Sequence, residues 1–173
     1  MHSCSSGDLV EVRFDGLIQE DADYPPVDAE VLWARPISST VCILDNIPFY
    51  VRGVAYLDTV EAAPAAEDGI LTFQYVVARS GHSTYRIYWS DKTSESDKAC
   101  AAFLRQLAIE GCGIERGVGR LYAIDIPPSV SVHHIYKIFE QMERAGILDF
   151  EEGYFFSGVP GRAEPEENDT EPD

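Results

Sequence analysis

The sequence predicts an α+β protein in which an N-terminal small, bent β-sheet or barrel packs on a C-terminal ferredoxin-like (βαββαβ) half. Three observations carry this. Up to about Arg79 the apolar residues fall in short alternating or continuous runs, separated by turn residues, with no helical period. From Thr84 onward two segments acquire a 3.6-residue period, each flanked by strand-like runs. The chain has 173 residues, 45% of them hydrophobic and 11% aromatic. A chain of that size can bury roughly 70% of its unfolded surface with no disulfide or metal staple.

Each element has its own signal. Leu9–Phe14 alternates, and Val27–Ala34 is an apolar run after the Tyr24-Pro25-Pro26 break. Val41–Leu44, Phe49–Arg52 and Asp58–Ala62 read as further strands, and Ile70–Val77 follows an Asp68-Gly69 turn. Thr84–Trp89 is a strand. Asp97–Glu110 then places Cys100, Phe103, Leu104 and Leu107 on one helical face and stops at Gly111. Short strands at Gly113–Glu115 and Arg120–Ile126 follow, the second halted by Pro127-Pro128. Ser131 can cap a second helix bearing Val132, Ile135, Phe139 and Met142, which Gly146 ends, and Leu148–Phe156 closes as a strand. The order strand-helix-strand-strand-helix-strand is that of the split βαβ unit. It divides the chain into an all-β subdomain at 8–79, a ferredoxin-like α/β subdomain at 80–157, and an acidic, disordered tail at 158–173.

Charge limits the partners. Thirty acids oppose thirteen bases, a formal charge of −17. The last twelve residues account for −5 and the remainder for −12. Nucleic acid is disfavoured, because its affinity comes from Lys and Arg displacing counterions. Anionic membrane surfaces are disfavoured by the same sign. A basic protein partner is favoured. Cys4, Cys42, Cys100 and Cys112 show no CxxC pair or framework spacing, the N-terminus has no signal-peptide pattern, and no apolar run approaches ~18 residues. The expected location is cytoplasmic, with reduced thiols.

The chemistry-bearing residues concentrate in two places. Ser80-Gly81-His82-Ser83 sits at the junction of the halves, with Arg79 and Arg86 on either side. Such a cluster could bind an anion or let His82 act as a general base. Ser83 points to the opposite strand face from His82, which argues against a dyad from that dipeptide. The structural alternative is a tight junction whose His fixes an interface. In the preceding half, Asp45, Arg52, Tyr56 and Asp58 can gather with His82 on one polar surface; alternatively, Asp45 and Asn46 satisfy turn amides while Arg52 pairs with an acid. The candidate binding residues are therefore Asp45, Arg52, Tyr56, Asp58, Arg79, His82 and Arg86.

Other chemistries lack their patterns. His133-His134 is not the i, i+4 pair that metal sites on helices use, and Asp21 and Asp23 lack the Gly and distal Glu of a calcium loop. No phosphate-cradling loop follows a strand, and the Gly-x-Ser-x-Gly elbow is missing. No cofactor, metal or catalytic residue is expected.

The strings Tyr24-Pro-Pro26, Leu32-Trp33, Leu44–Ala62 and Ser80–Arg86 resemble a bacterial family of unknown function, domain of unknown function 4265. The resemblance covers roughly residues 8–156 and is densest in the first half. It implies kinship and brings no activity or site residues with it. The function expected from the residues is a non-enzymatic, acidic interaction or regulatory protein, in its most concrete form an immunity-type antagonist of a basic partner. The alternatives are a sensor of a small anionic metabolite and an uncharacterised enzyme using His82.

Overall fold

The computed structural model describes residues 9–17, 24–64, 70–90 and 94–158. The expected loose N-terminus (1–7), the Asp68-Gly69 turn, Asp21, Asp23, Cys4 and all of the acidic tail after Gly158 lie outside them. Five strands, β1 (Val10–Asp15), β2 (Ala29–Pro36), β3 (Val41–Leu44), β4 (Thr59–Pro64) and β5 (Leu71–Ala78), form a closed barrel in chain order. Consecutive pairs are antiparallel. With five strands in an up-and-down path, the first and last run the same way, so the closing β1–β5 pair is parallel, with Val12 opposite Leu71. Alternation sends Val12, Phe14, Leu32, Ala34, Cys42, Leu44, Val60 and Ala62 inward as one core.

The chain then forms β6 (Ser83–Trp89), α1 (Ser94–Ile109), β7 (Gly113–Arg116), β8 (Leu121–Ile126), α2 (Val132–Arg144) and β9 (Leu148–Tyr154). The four strands make an antiparallel sheet in the order β7-β8-β6-β9. Tyr85, Ile87, Trp89, Ile124, Ile126 and Leu148 point to one face of it and pack on Leu107, Ile135 and Phe139 of the helices. Ser131 caps α2 by accepting from the His134 amide, and Gly146, at φ +69°, ends it. Among the described residues no helix is long and apolar enough to cross a membrane.

One expected strand is absent. Phe49–Arg52 is not part of any sheet, and the barrel closes with five strands. Pro48 has no N–H to give a ladder, and the amides of Phe49, Tyr50 and Val51 are taken by the Glu30 carboxylate. The stretch instead belongs to a connector, residues 45–58, that runs between the barrel and the helix-free face of the sheet.

Candidate functional site: the connector between barrel and sheet

A segment without ladder partners must satisfy its backbone groups by other means when it is buried. Ile47, Pro48, Val51, Val54 and Ala55 are buried here. Side chains from both sides supply the partners. From β2, Glu30 accepts the Phe49 amide on Oε1 at 2.7 Å and those of Tyr50 and Val51 on Oε2 at 2.8 and 2.7 Å. From β7, Glu115 accepts the Ile47 amide at 2.9 Å. From β6, Arg86, only 1% exposed, donates to the carbonyls of Pro48 and Val51 and to Glu151 Oε1. The Gly53 amide donates to the Gly153 carbonyl of β9 at 3.0 Å.

The end of the connector is held by Asp58, which is fully buried. Its carboxylate accepts the Ala55 amide at 3.1 Å, the Ser80 amide at 2.8 Å and Arg79 Nη1 at 2.9 Å. Arg79 also donates to the Gly53 carbonyl and stacks over the Tyr154 ring, 4.3 Å from its centroid. The Ser80 hydroxyl donates to the Tyr56 carbonyl and accepts from the His82 amide. Leu57, just before Asp58, sits at φ +64°, a left-handed conformation that this bonding holds in place.

His82 lies at the same seam. Its Nδ1 is 2.8 Å from Oδ1 and 3.0 Å from Oδ2 of Asp125, on the barrel-facing side of β8, and the Tyr56 ring meets the imidazole edge to face. A carboxylate is acceptor-only, so Nδ1 is the donor in this pair. This is the orientation in which an acid positions an imidazole base. The His82 side chain is 13% exposed, and neither hollow described below is lined by it or by Asp125.

The seven residues expected from sequence thus divide into three groups. Tyr56, Asp58, Arg79 and His82 come together at the seam. Arg52 and Arg86 meet on Glu151, at 3.0 and 3.1 Å. Asp45 stands apart from them, paired with Arg35 at 3.2 Å, while Asn46 accepts the Trp33 amide at 2.8 Å. For Arg52 the pairing with an acid is what the geometry contains, whereas Asn46 accepts an amide of strand β2 rather than one of its own turn, and Asp45 pairs with Arg35. Sequence reasoning passed over Glu30, Glu115, Asp125 and Glu151. Glu30 and Asp125 did leave a signal, since each is a charge inside an apolar strand run. Glu151, in a run of acids near the C-terminus, left none.

Electrostatics follow burial. The Glu115 carboxyl is pushed above its ordinary range, first by desolvation and then by Asp125, Glu30 and Asp45, against the opposing hydrogen bond from Ile47. The Tyr24 phenol, which donates to Glu151 at 2.7 Å, is raised well above its ordinary value by burial and by that carboxylate, so it stays neutral. Two hollows open along the seam, about 350 and 440 Å³, and share Tyr24, Tyr50 and Glu151 as a common wall. Among the described residues no group of three or more His, Cys, Asp or Glu side chains could hold a metal ion. His134 meets Glu110 at 3.2 Å, and His133 packs near Phe155.

The fold is similar to that of a solved structure described as "Novel crystal structure of a hypothetical protein from Neisseria gonorrhoeae". The two are 20% identical with a TM-score of 0.66, over 87% of this chain and 99% of that one. No curated protein matches the chain in sequence. The family model described as Domain of unknown function (DUF4265) matches residues 30–150, from Glu30 through the connector to β9, and the chain belongs to that family.

Proposed function

We propose that the protein acts by binding, and that residues 8–79 present an acidic face to a basic protein partner. The observation that carries this is where the charge lies. Residues 8–79 contain thirteen acids and four arginines, a formal −9, whereas residues 80–157 contain eleven acids and eight bases, a formal −3. All four arginines of the first set are already paired, Arg13 with Asp15, Arg35 with Asp45, Arg52 with Glu151 and Arg79 with Asp58. The excess acid therefore has no cation of its own half to neutralise it. Glu11, Asp28 and Glu61 have no ion pair among the described residues.

A field of that sign speeds encounter with a cationic surface and rejects anionic ones. In the most concrete version the protein is an antagonist whose carboxylates cover a partner's cationic site, as phosphates would. The same proposal keeps a cytoplasmic location and the two-part division at residue 79. It reads the second part as a ferredoxin-like unit, a reading supported by the order β6-α1-β7-β8-α2-β9 and the sheet order β7-β8-β6-β9. The anionic-metabolite alternative is less well supported, because Arg79, His82 and Arg86 are each engaged with protein groups at the seam.

The test uses the full chain immobilised at low salt against lysate of its source, with elution by rising salt. Two variants accompany it. One neutralises the barrel (Glu11→Gln, Asp28→Asn, Glu61→Gln) and the other the helical layer (Glu95→Gln, Glu140→Gln, Glu143→Gln). The expected result is one basic protein held by the parent and the helical variant, released by salt, and lost from the barrel variant. Retention that ignores both salt and barrel neutralisation would overturn the proposal.

A further inference from the structure

The outer face of the barrel carries a row of side chains left exposed or half-buried among the described residues. On β3 and β4 the inward positions are Cys42, Leu44, Val60 and Ala62. Alternation therefore turns Val41, Ile43 and Glu61 outward. The register sets Val41 opposite Glu61 and Glu61 opposite Tyr75. At the β2–β3 turn the Ile37 amide donates to the Val41 carbonyl at 2.8 Å. Ile37, Val41, Glu61 and Tyr75 thus stand in a line across β3, β4 and β5, with Ile43 and Val77 two residues further along their strands. Ile37 is 57% exposed, Tyr75 59% and Val77 38%. Apolar side chains gathered on a surface in this way mark a contact site.

We infer that this row docks a patch of the basic partner in which one lysine or arginine stands among apolar side chains. The inference rests on the acidic-face proposal above and gives that face a location. Glu61 decides the occupant. A body that covers Val41 and Tyr75 also covers the carboxylate between them, and burying a carboxylate is costly unless it gains a cation or donors. Among the described residues Glu61 has neither a hydrogen bond nor an ion pair. The strands β3, β4 and β5 contain no lysine or arginine. Arg35 of β2, opposite Ile43, is held by Asp45 at 3.2 Å. The cation must therefore come from the partner. A second copy docked through the same face would bring another Glu61 and no cation. Tyr75 lies directly across from Glu61, so a cation on the carboxylate also meets the phenol ring.

The experiment titrates the acetylated, amidated tripeptide leucyl-arginyl-leucine into the full chain. NMR follows the ring signals of Tyr75 and the methyl signals of Ile37, Val41 and Val77. The same tripeptide with citrulline or glutamate at its centre serves as comparator. The arginine peptide is expected to shift this row, the citrulline peptide to bind more weakly and the glutamate peptide to fail. Glu61→Gln should weaken the arginine peptide about two- to fivefold, the range of a solvent-exposed ion pair. Tyr75→Ser should weaken it too, whereas Glu11→Gln, the same charge change on β1, should leave it nearly unaltered. Equal binding of the arginine and citrulline peptides, equal losses from Glu61→Gln and Glu11→Gln, or silence of the row at millimolar peptide would overturn the inference. So would a concentration-dependent dimer in sedimentation that Tyr75→Ser dissolves, since the occupant would then be a second copy. If the row responds to the arginine peptide while partner capture ignores salt and barrel neutralisation, the acidic-face proposal falls and the row remains a site for a cation among apolar groups. If the three-site barrel variant loses the partner while Glu61→Gln and Tyr75→Ser each keep it, this docking row falls and the acidic face stands.

Discussion

Gly153 is where β9 makes room for the buried Arg86 guanidinium. A Cβ on residue 153 would stand 3.0 Å from Arg86 Cζ, 3.1 Å from Nη2 and 3.2 Å from Nη1. The guanidinium cannot swing aside cheaply, because it is fixed by Pro48, Val51 and Glu151. Gly153→Ala should therefore destabilise by about 1–3 kcal/mol, the usual cost of overpacking. A urea unfolding midpoint measures it, and an unchanged midpoint would mean that Arg86 is less firmly held than its bonds imply.

Glu30→Gln tests the other side of the connector. The carboxylate accepts three consecutive amides. A carboxamide keeps one acceptor oxygen and turns an NH2 donor toward amides that are themselves donors. Each stranded amide costs about 1–3 kcal/mol, so the variant should lose at least that much. Hydrogen exchange at Phe49, Tyr50 and Val51 should accelerate ahead of the barrel core. Should stability fall while those three amides exchange at parent rates, the loss has another source.

The sheet and helix elements were legible because local patterns dictate them. Val41–Leu44 is β3 as expected, Ser131 caps α2, and Gly146 closes it. The connector was not legible for a physical reason. Phe49-Tyr-Val-Arg52 has strand composition, and what keeps it out of a sheet is a carboxylate nineteen to twenty-one residues earlier in the chain. The His82 partner was hidden in the same way, since Asp125 lies 43 residues downstream and joins it only through the β6–β8 register that sets Ser83 opposite Ile126. Asp58, Arg79 and Arg86 drew attention because they could gather around His82 as a polar, ligand-binding cluster. The fold uses them to satisfy a buried backbone, and a single sequence cannot separate that use from ligand binding.

Cys42, Cys100 and Cys112 should be inert in the native protein. All three are buried, and burial raises each thiol above its ordinary value. Cys112 is pushed up to about 11, with Asp125 and Glu110 adding to the effect of burial. At pH 8 that leaves roughly one part in a thousand as the reactive thiolate. Labelling with an aromatic disulfide reagent, read by peptide mass spectrometry, should find these three unmodified over minutes and fully modified in denaturant. Fast native labelling of any one of them would expose an opening that the packing does not contain.

Glu115 sets a pH dependence whose sign is fixed by its raised pKa. In the unfolded chain it titrates near the ordinary carboxylate value, about 4.3. In the fold its neutral form is favoured, so the stability linked to it is full below the unfolded value and is lost as pH rises through the higher folded one. Glu115→Gln removes that titration. It also keeps an oxygen for the Ile47 amide, 2.9 Å away in the parent, and removes a charge that Asp125, Glu30 and Asp45 oppose. The variant should therefore melt above the parent at pH 7, with the gap narrowing on acidification and closing near pH 4. A gap independent of pH would mean that packing, rather than ionisation, separates the two. A variant that melts below the parent at pH 7 would mean that the carboxylate gains more from the Ile47 amide than it loses by burial beside three other acids.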